Sequence, residues 1–437
     1  SLMGLLTVDE KRFDKAQMSL FQSEKAAQYR RVLDEKNRLI HLYRNTSSMT
    51  DDLQALRKQI DDHKAQAYAT LDPILLDDFQ ELGIQFEQAQ ANGKTKKRQL
   101  SIADIERLDP FHWGYEFDEI IETRGGFDVI IANPPWEIFK PIDREFAKRY
   151  DESIDRRIST KEEFNAVLNK MLENPEIRED YLDYLSSFPY VSAFYRADAH
   201  YTHQTGVVNG RKVGSDINLY KLFTEQSYKL LRDGGLCGIV LPSGIYSDLG
   251  TKQLRELLFN KTEISGLFCF ENKYGVFDGV HRSFKFVVLT FRKGGITKKF
   301  PAAFMRHHVQ DLEHFPNSES VMIDIDMIKR LSPDSLSVTE FQNEMDVQIA
   351  EKMLKFPMIG EEVPDTWNVK LSSEFHMTND SHLFYQSPAP GRLPLFEGKM
   401  IWHFTAEYAK PRYWVDETAG RKDVVGCLLY TSPSPRD

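Results

Sequence analysis

The 437-residue sequence is poor in cysteine and contains no long apolar run. Its three cysteines, Cys237, Cys269 and Cys427, show no short spacing, which excludes a disulfide framework and a cysteine-rich zinc site. No apolar segment approaches the roughly 20 residues that a membrane-spanning helix needs, and the first residues show no signal-peptide pattern. We therefore expect a cytoplasmic protein that has no membrane partner.

An excess of positive charge is missing as well, since the formal net charge is −10. This disfavours nucleic-acid binding by the chain as a whole, because phosphate contacts need clustered Lys and Arg. Local basic clusters nevertheless occur at residues 94–98, 292–299 and 306–308. Each is either part of an anion-binding cleft, where the local field matters more than the total charge, or a solvated surface, which is the commoner case.

Both ends of the chain look artificial. The sequence does not begin with Met, and residues 427–437 (CLLYTSPSPRD) read as the translation of a transposase-type sequencing adapter. We therefore expect an internal fragment, whose natural sequence continues beyond about Gly426 and also before Ser1.

The first hundred residues are charged and carry apolar residues at helical spacing in two stretches, Phe13–Tyr43 and Asp51–Phe86. Ser47-Ser48 between them is typical of a turn. The pattern predicts that residues 1–100 form a helical hairpin that acts as an arm or spacer, and nothing in it indicates catalysis.

Residues 101–300 alternate between strand and helix patterns, which favours a layered α/β domain. Phe127–Ala132, preceded by Gly125-Gly126, predicts a buried parallel strand. A mostly helical insertion follows over residues 137–215. A helix is predicted from Asp216 to Arg232, closed by Gly234-Gly235.

Three more strands are predicted in this domain, at Cys237–Leu241, Ile264–Phe270 and Phe284–Phe291. The last two have no helix-length pattern between them, so we expect them to pair as an antiparallel edge of the sheet. Cys237 and Cys269 lie within these strands and are interpreted as small core residues.

The predicted strand Phe127–Ala132 ends directly in Asn133-Pro134-Pro135-Trp136. Ligands of open α/β sheets bind beyond the carboxyl ends of the strands, which is where these four residues fall. Each proline fixes its own φ angle and holds the residue before it in an extended conformation. Asn133 and Pro134 are therefore stiff, with carbonyl groups free to point at a ligand.

That arrangement suits one particular chemical task. The exocyclic amine of adenine is a poor nucleophile because its lone pair is delocalised into the ring. The Asn133 side-chain oxygen and the Pro134 carbonyl can each accept one N–H proton, which favours a pyramidal nitrogen able to attack a sulfonium methyl group. Positioning and oriented dipoles then catalyse without a covalent intermediate. Trp136 offers a face for a flipped base; the alternative for this tetrad is a strand-ending turn with a core Trp.

The tetrad and the segments around it resemble the large type IIG-like restriction–modification methylases. In that family the tetrad usually ends in Tyr, with Phe or Trp as variants, so Trp136 is a tolerated departure. The segments that carry the resemblance are Phe111–Glu119 (FHWGYEFDE), Gly126–Asp128, Asn133–Trp136, Asp216–Leu231, Gly234–Pro242, Val276–Val280 and Leu393–Met400.

The resemblance implies an adenine-N6 DNA methyltransferase of a restriction–modification or phage-defence system, which uses S-adenosylmethionine and double-stranded DNA and needs no metal. Restriction–modification subunits or a fused nuclease outside this fragment are further possible partners, although no Pro-Asp…Glu-x-Lys cluster of a nuclease stands out here. It implies catalytic roles for Asn133, Pro134, Pro135 and Trp136. It also makes Phe277 the partner of Trp136 in an aromatic sandwich around the flipped base, although core packing under a turn explains Phe277 equally well.

The same resemblance divides the chain into a catalytic domain over residues 101–300, a connector over residues 301–390 and the start of a target-recognition domain over residues 391–426. Such enzymes bind S-adenosylmethionine on a glycine-rich loop after the first strand, but no Gly-x-Gly occurs here. We therefore expect the second half of a doubly wound, Rossmann-like sheet, in a fragment that by itself neither binds the cofactor tightly nor methylates.

Two other functions fit the same residues. RNA guanine and protein glutamine methyltransferases use a similar Asn-Pro-Pro-Tyr tetrad, but they are usually compact, so the long insertion and the carboxyl-terminal addition favour DNA. A non-catalytic helical scaffold that has lost its cofactor loop is the other alternative. His307-His308 with Asp311 to Glu319 is one further possibility, a metal site, but residues of this kind are more often on the surface.

Overall fold

The computed structural model describes residues 20–46, 50–154, 158, 160–208, 211–213, 216–358, 360–366, 368, 374–377 and 380–428. The predicted helix start at Phe13, the turn at Ser47-Ser48 and the adapter-like residues 429–437 lie outside the described residues. The chain divides into two compact units, Ser1–Lys355 and Phe356–Asp437.

The first unit contains helices, strands and short helical turns. Its helices are α1 (Leu20–Asn45), α2 (Thr50–Glu81), α3 (Ile102–Glu106), α4 (Trp113–Glu116), α5 (Asp143–Lys148), α6 (Lys161–Met171), α7 (Pro175–Ser186), α8 (Pro189–Ala197), α9 (Leu219–Leu230), α10 (Gly244–Ser247), α11 (Lys252–Lys261), α12 (Ile325–Leu331) and α13 (Glu344–Met353). Its strands are β1 (Phe86–Ala89), β2 (Thr95–Arg98), β3 (Phe127–Ala132), β4 (Gly206–Val208), β5 (Arg211–Val213), β6 (Leu231–Pro242), β7 (Thr262–Glu271), β8 (Lys285–Lys293), β9 (Lys299–Arg306) and β10 (Val321–Asp324). The short turns are a π-helical turn at Glu119–Thr123 and 3-10 turns at Ala199–Tyr201, Leu249–Thr251, Asn272–Tyr274 and Val309–His314.

A mixed six-stranded sheet organises this unit, in the order β10-β9-β7-β8-β6-β3. Strand β3 is parallel to β6, β7 is parallel to β9, and β8 runs antiparallel between β6 and β7. The α/β class predicted from the sequence is therefore confirmed. Because β8 is reversed relative to both of its neighbours, β3, β6, β7 and β9 all point in the same direction.

The predicted antiparallel edge is correct in its pairing but not in its position. Strands β7 and β8 pair antiparallel, with Phe268 opposite Val288, yet β8 lies inside the sheet between β7 and β6. Strands β9 and β10 extend the sheet beyond β7, although both fall almost entirely in the predicted connector over residues 301–390. Their inward side chains, such as Phe300, Ala302 and Ile323, are fully buried, so packing decides their place.

The junction between α9 and β6 also differs from the prediction. The helix ends at Leu230, and Leu231 is already extended and begins the strand. The Gly234-Gly235 pair does not close the helix but lies inside β6, where the register with β3 shifts between Phe127 and Val129. The sequence pattern placed the helix end at Arg232 because the unpaired residues of β6 at this register shift, which include the two glycines, resemble a loop.

The amino-terminal helices, which the sequence predicts as an arm or spacer over residues 1–100, contribute side chains to the core of this unit. Helices α1 and α2 pack as a hairpin, and Leu71, Leu75 and Phe79 form a fully buried stripe along α2. Burial of such side chains contributes about 1.5–3 kcal/mol each. The shared core contains Tyr29, Leu33, Leu71, Leu75, Phe79, Ile105, Tyr115, Phe139, Tyr190, Phe194, Tyr195, Ile217 and Leu222.

Buried polar contacts fix the segment 111–119 to the same hairpin. His112, which is fully buried, lies 2.9 Å from the Asp72 carboxylate, and Lys36 lies 2.6 Å from Asp118. The Tyr68 hydroxyl donates to Glu116 at 2.7 Å. Removing one partner of such a contact leaves the other buried and unsatisfied, so these pairs set the position of the segment that leads into β3.

The described part of residues 137–215, for which the sequence predicts a mostly helical insertion, contains α5 to α8. Part of it has its own small core, in which Ala147, Phe164 and Leu168 are buried. The insertion also contains a hairpin of β4 and β5, which the helical pattern did not indicate.

The second unit contains β11 (Phe384–Tyr385), β12 (Arg392–Pro394), β13 (Trp414–Asp416) and α14 (Glu417–Leu428). The strands form a small antiparallel sheet in the order β11-β13-β12. Helix α14 includes Cys427 and Leu428, the first two residues of the adapter-like segment. In neither unit does a helix among the described residues combine the length and the apolar character needed to cross a bilayer.

Replacement of Gly126 tests the close approach of β3 to β6. The φ of Gly126 is +132°, and an added Cβ would lie 2.4 Å from the Leu230 carbonyl oxygen. We expect Gly126→Ala to lower the free energy of unfolding by about 3–5 kcal/mol. The Leu230 backbone would have to move away from the added Cβ, and residue 126 would also keep an unfavourable φ. Gly93→Ala is the matched control: its φ is +75° with open space around it, and it should cost only about 1–2 kcal/mol. Equal losses in urea titrations would contradict the close approach.

Candidate functional site

The carboxyl ends of four strands meet at one edge of the sheet, because β3, β6, β7 and β9 point in the same direction. Three of the segments that leave this edge were singled out in the sequence. They are the tetrad Asn133–Trp136 after β3, the segment Val276–Val280 between β7 and β8, and Arg306–His308 at the end of β9. Topology therefore brings together groups that are far apart in the chain.

The tetrad begins where β3 ends, as the sequence predicts. Asn133 is exposed, Pro134 is buried, and Pro135 is half-buried. No hydrogen bond within the described part of the chain occupies the Asn133 amide. The side-chain oxygen is thus available to a ligand, while the buried proline after it holds the backbone in place.

Trp136 is half-buried and fixed from several sides. Its indole N–H donates to the Val240 carbonyl oxygen at 3.3 Å, across the β3–β6 pair. Its ring is nearly parallel to that of Phe284, with centroids 5.7 Å apart, and lies 6.0 Å from the ring of Phe286. The hydrogen bond and the two ring contacts hold the indole over the ends of β6 and β8.

Phe277 reaches the same place from the segment after β7. Its ring contacts Trp136 edge to face, at a centroid distance of 5.3 Å and an interplanar angle of 79°, and it contacts Phe286 at 4.8 Å. The two aromatic residues that the resemblance pairs are therefore neighbours. Since they touch each other directly, a base can enter between them only after one of the rings moves.

Asn272 holds the Phe277 segment, and sequence reasoning missed it. The side chain is fully buried. Its oxygen accepts from the Phe277 N–H at 2.9 Å, and its amide donates to the carbonyls of Phe277 and Val280 at 3.0 and 2.9 Å. An Asn directly after a strand and three residues before Gly275, whose φ is +74°, is the signal that points to such a turn.

Cys237 and Cys269 offer no nucleophile. Both thiols are buried within strands, and burial raises the pKa of Cys237 to about 12 and that of Cys269 to about 11. Both therefore stay protonated near neutral pH, and the interpretation of these residues as core residues is confirmed.

The basic clusters separate when they are placed on the fold. Arg292 and Lys299 lie at the opposite edge of the sheet and pair with Glu263 and with Asp324 (3.1 Å). Within residues 94–98, Lys97 pairs with Glu87 and Arg98 with Asp104 on and beside the β1–β2 hairpin. Only Arg306–His308 reaches the edge that carries Asn133.

The histidines at this edge make no metal site. His307 lies 2.9 Å from the Glu271 carboxylate, and His308 stacks on Tyr274. Among the residues that the structure describes, no group of three or more His, Cys, Asp or Glu side chains is arranged to hold a metal ion.

A methyl-donor cofactor would need a glycine-rich loop beside Asn133, and the described residues do not supply one. Within them, no strand pairs with the free edge of β3. Val129 and Ile131, which share one face of this strand, are exposed by 53% and 86%, whereas parallel strands are normally buried on both faces. The described residues thus do not fit the cofactor.

The model of the Eco57I restriction-modification methylase family matches residues 8–174 and 189–277, which is more than half of the chain. This match includes α1, the tetrad and Phe277.

Among curated proteins, the chain is 24% identical over 352 residues to a Methanocaldococcus jannaschii protein named as a type II restriction enzyme and methyltransferase. The matched segment is 74% of this chain but only 24% of that relative, so the chain spans about a quarter of its length.

Two solved structures show local likeness. One is the methyltransferase subunit of a type I restriction-modification system from Streptococcus thermophilus, with 13% identity, coverage of 34% of this chain and 35% of that chain, and a TM-score of 0.26. The other is the type IIG restriction endonuclease BpuSI, with 24% identity, coverage of 26% and 13%, and a TM-score of 0.20. At these scores the likeness does not extend over the whole fold.

Replacement of Asn272 tests how the Phe277 segment is held. Asn272→Ala removes three buried hydrogen bonds, so we expect a loss of about 2–4 kcal/mol in the free energy of unfolding and a change in Trp136 fluorescence as Phe277 is released. Asn272→Asp keeps the contact with the Phe277 N–H and loses the two donated bonds, so its effect on fluorescence should be smaller.

The control is Asn45→Ala, which removes one exposed hydrogen bond to the His41 carbonyl. It should change the free energy of unfolding by less than about 0.5 kcal/mol. If Asn272→Ala behaves like this control in urea titrations and in fluorescence, Asn272 does not position Phe277.

Proposed function

The chain belongs to the Eco57I restriction-modification methylase family, and we propose that it forms part of a DNA methyltransferase that modifies the exocyclic N6 amine of adenine. The observation that supports this most directly is the Asn133 side chain, exposed and without a hydrogen-bond partner in the described part of the chain, at the end of β3 beside a cluster of aromatic rings. S-adenosylmethionine is the proposed methyl donor, since methyltransferases generally use it.

In this proposal Asn133 and Pro134 hold the amine. The Asn133 side-chain oxygen accepts one N–H of the amine, and the Pro134 carbonyl accepts the other. Two acceptors at fixed positions favour a pyramidal nitrogen, whose lone pair is then no longer shared with the ring. Pro135 limits the backbone freedom of Pro134 and thereby the direction of its carbonyl.

Trp136 and Phe277 bind the base in the same proposal. A purine between them would need two ring faces, whereas the rings now meet edge to face. We propose that Phe277 turns aside when a flipped base enters, while Trp136 stays in place through its hydrogen bond to Val240 and its stack on Phe284. Adenine would reach this pocket only when it leaves the duplex, so double-stranded DNA is the proposed partner.

The uncovered edge of β3 supports the proposal that the active protein has a larger sheet. Among the described residues, β3 is paired only with β6, and its Val129 and Ile131 side chains are exposed on one face of the sheet. A further parallel strand with a glycine-rich loop at its carboxyl end would pair with the free edge of β3 and bring the cofactor next to Asn133, and its crossover helix would cover these side chains. The present sheet would then be the second half of a doubly wound, Rossmann-like sheet, and residues 391–426 would open a target-recognition domain.

Asn133→Ala in the complete gene tests the adenine chemistry. We expect the gene, expressed in a host that lacks adenine methylation, to produce methyladenine at one defined DNA sequence. The variant should reduce it at least about a hundredfold, because it loses one oriented acceptor. Long-read sequencing of host DNA measures both, and Asn92→Ala, in an exposed turn of the β1–β2 hairpin, is the control.

Unmodified DNA in the presence of well-expressed, folded enzyme would contradict the proposal. It would favour an RNA or protein-glutamine substrate, in which the nitrogen of a planar amine or amide is likewise a poor nucleophile, or a non-catalytic scaffold.

The cofactor proposal has its own test on the 437-residue chain. Titration calorimetry with S-adenosylmethionine should show no binding tighter than about micromolar, because the described residues supply no cradle for the cofactor beside β3. Submicromolar binding, removed by Ile131→Arg but not by the distant exposed change Ile296→Arg, would show that this chain contains the cofactor site after all.

A further inference from the structure

We propose that Tyr274 and His308 form a stacking platform for DNA beside the adenine pocket, with Lys273 and Arg282 as its phosphate contacts. The inference rests on the proposed function, since it assumes that the partner at this edge is DNA. It assigns a role to an aromatic and basic surface that the handling of the adenine amine does not use.

The platform is built from two neighbouring strands. Tyr274 follows β7 and His308 follows β9, and these strands are parallel neighbours. Both residues therefore leave the sheet at the edge that carries Asn133. Tyr274 also belongs to the same segment as Phe277, which Asn272 anchors. One short loop thus carries both Tyr274 of the platform and Phe277 of the proposed base pocket.

The two rings already form a stack, and both residues are exposed. The centroids of Tyr274 and His308 are 5.0 Å apart, and their planes differ by 21°. Tyr274 remains 62% exposed. His307, held by Glu271 at 2.9 Å, contacts the edge of the Tyr274 ring at 5.9 Å and supports it. An ordered, exposed aromatic stack resembles the surfaces on which unpaired bases stack, where each contact contributes about 1–3 kcal/mol.

The charges around the stack favour an anionic partner. Lys273 and Arg282 are both exposed, and neither forms an ion pair within the part of the chain that the structure describes. The Lys273 ammonium lies 5.9 Å from the centre of the Tyr274 ring. The nearby carboxylates Glu271 and Glu319 are engaged by His307 and by Arg306 (3.2 Å). Asp278 in the same loop, and Asp311 and Glu313 in the turn after His308, oppose this field.

Base flipping gives the platform a specific task. When an adenine leaves the duplex, its former neighbours and its partner base lose a stacking contact. A ring pair next to the pocket can replace that contact, and flanking cations can hold the adjacent phosphates. Tyr274 and His308 would then stabilise the opened duplex rather than the flipped base itself.

Binding of a short fluorescent duplex by the 437-residue chain, measured by anisotropy at low salt, tests the platform. The duplex should carry an adenine opposite an abasic site, which lowers the cost of flipping. We expect Tyr274→Ala to weaken binding about 5- to 100-fold, and Tyr274→Phe, which keeps the ring, to bind within about twofold of the unmodified chain. Lys273→Ala should reduce the slope of affinity against salt by about one.

Tyr43→Ala is the matched control. Tyr43 is also an exposed tyrosine, but it lies at the end of α1, where the next residue, Arg44, pairs with Glu119 just before β3 starts. It is therefore at the opposite end of β3 from Asn133, and its replacement should leave binding unchanged.

The outcomes separate this inference from the function on which it rests. If Tyr274→Ala binds the duplex like the unmodified chain while Asn133-dependent methylation by the complete protein is observed, the platform is wrong and the methyltransferase stands. If Tyr274→Phe and Tyr274→Ala lose affinity equally, stacking is not the interaction. If the unmodified chain binds single-stranded RNA of the same length but not the duplex, both proposals fail.

Discussion

The parallel pairing of β3 with β6 is the constraint on which the candidate site depends. It places Ala132 beside Ile239, so that the tetrad leaves the sheet next to Val240. Val240 in turn supplies the carbonyl that fixes the Trp136 indole. The pairing starts from a close approach that only glycine at position 126 allows. A change in this register would move Asn133 and Trp136 away from the aromatic rings of β8.

The second constraint comes from the core that surrounds the sheet. Helices α1 and α2 share buried side chains with the insertion after the tetrad, and His112–Asp72 and Lys36–Asp118 tie the segment before β3 to the hairpin. The helices thus contact both the segment that precedes β3 and the insertion that follows the tetrad. This explains why a charged segment with no catalytic pattern belongs to the same compact unit as the tetrad.

The candidate site is packed against aromatic rings on one side and exposed to solvent on the other. Toward β8 and β7, Trp136, Phe277 and Phe284 form a packed aromatic cluster, and Asn272 holds the loop that carries Phe277. On β3, at the border of the sheet, the Ile131 side chain is exposed on one sheet face. Within the described residues, the packed groups around the end of β3 are therefore the aromatic ones.

The sequence by itself determined the α/β class, the strand 127–132, the tetrad at its end and the helical insertion, because each depends on local patterns of apolar residues, glycine and proline. It did not determine the end of α9, the sheet strands β9 and β10, the role of α1 and α2 in the core or the position of β8 inside the sheet. Those features depend on burial between distant segments. The contact between Trp136 and Phe277, the anchoring role of Asn272 and the arrival of Tyr274 and His308 at one edge exist only because parallel strands end together, which no local pattern encodes.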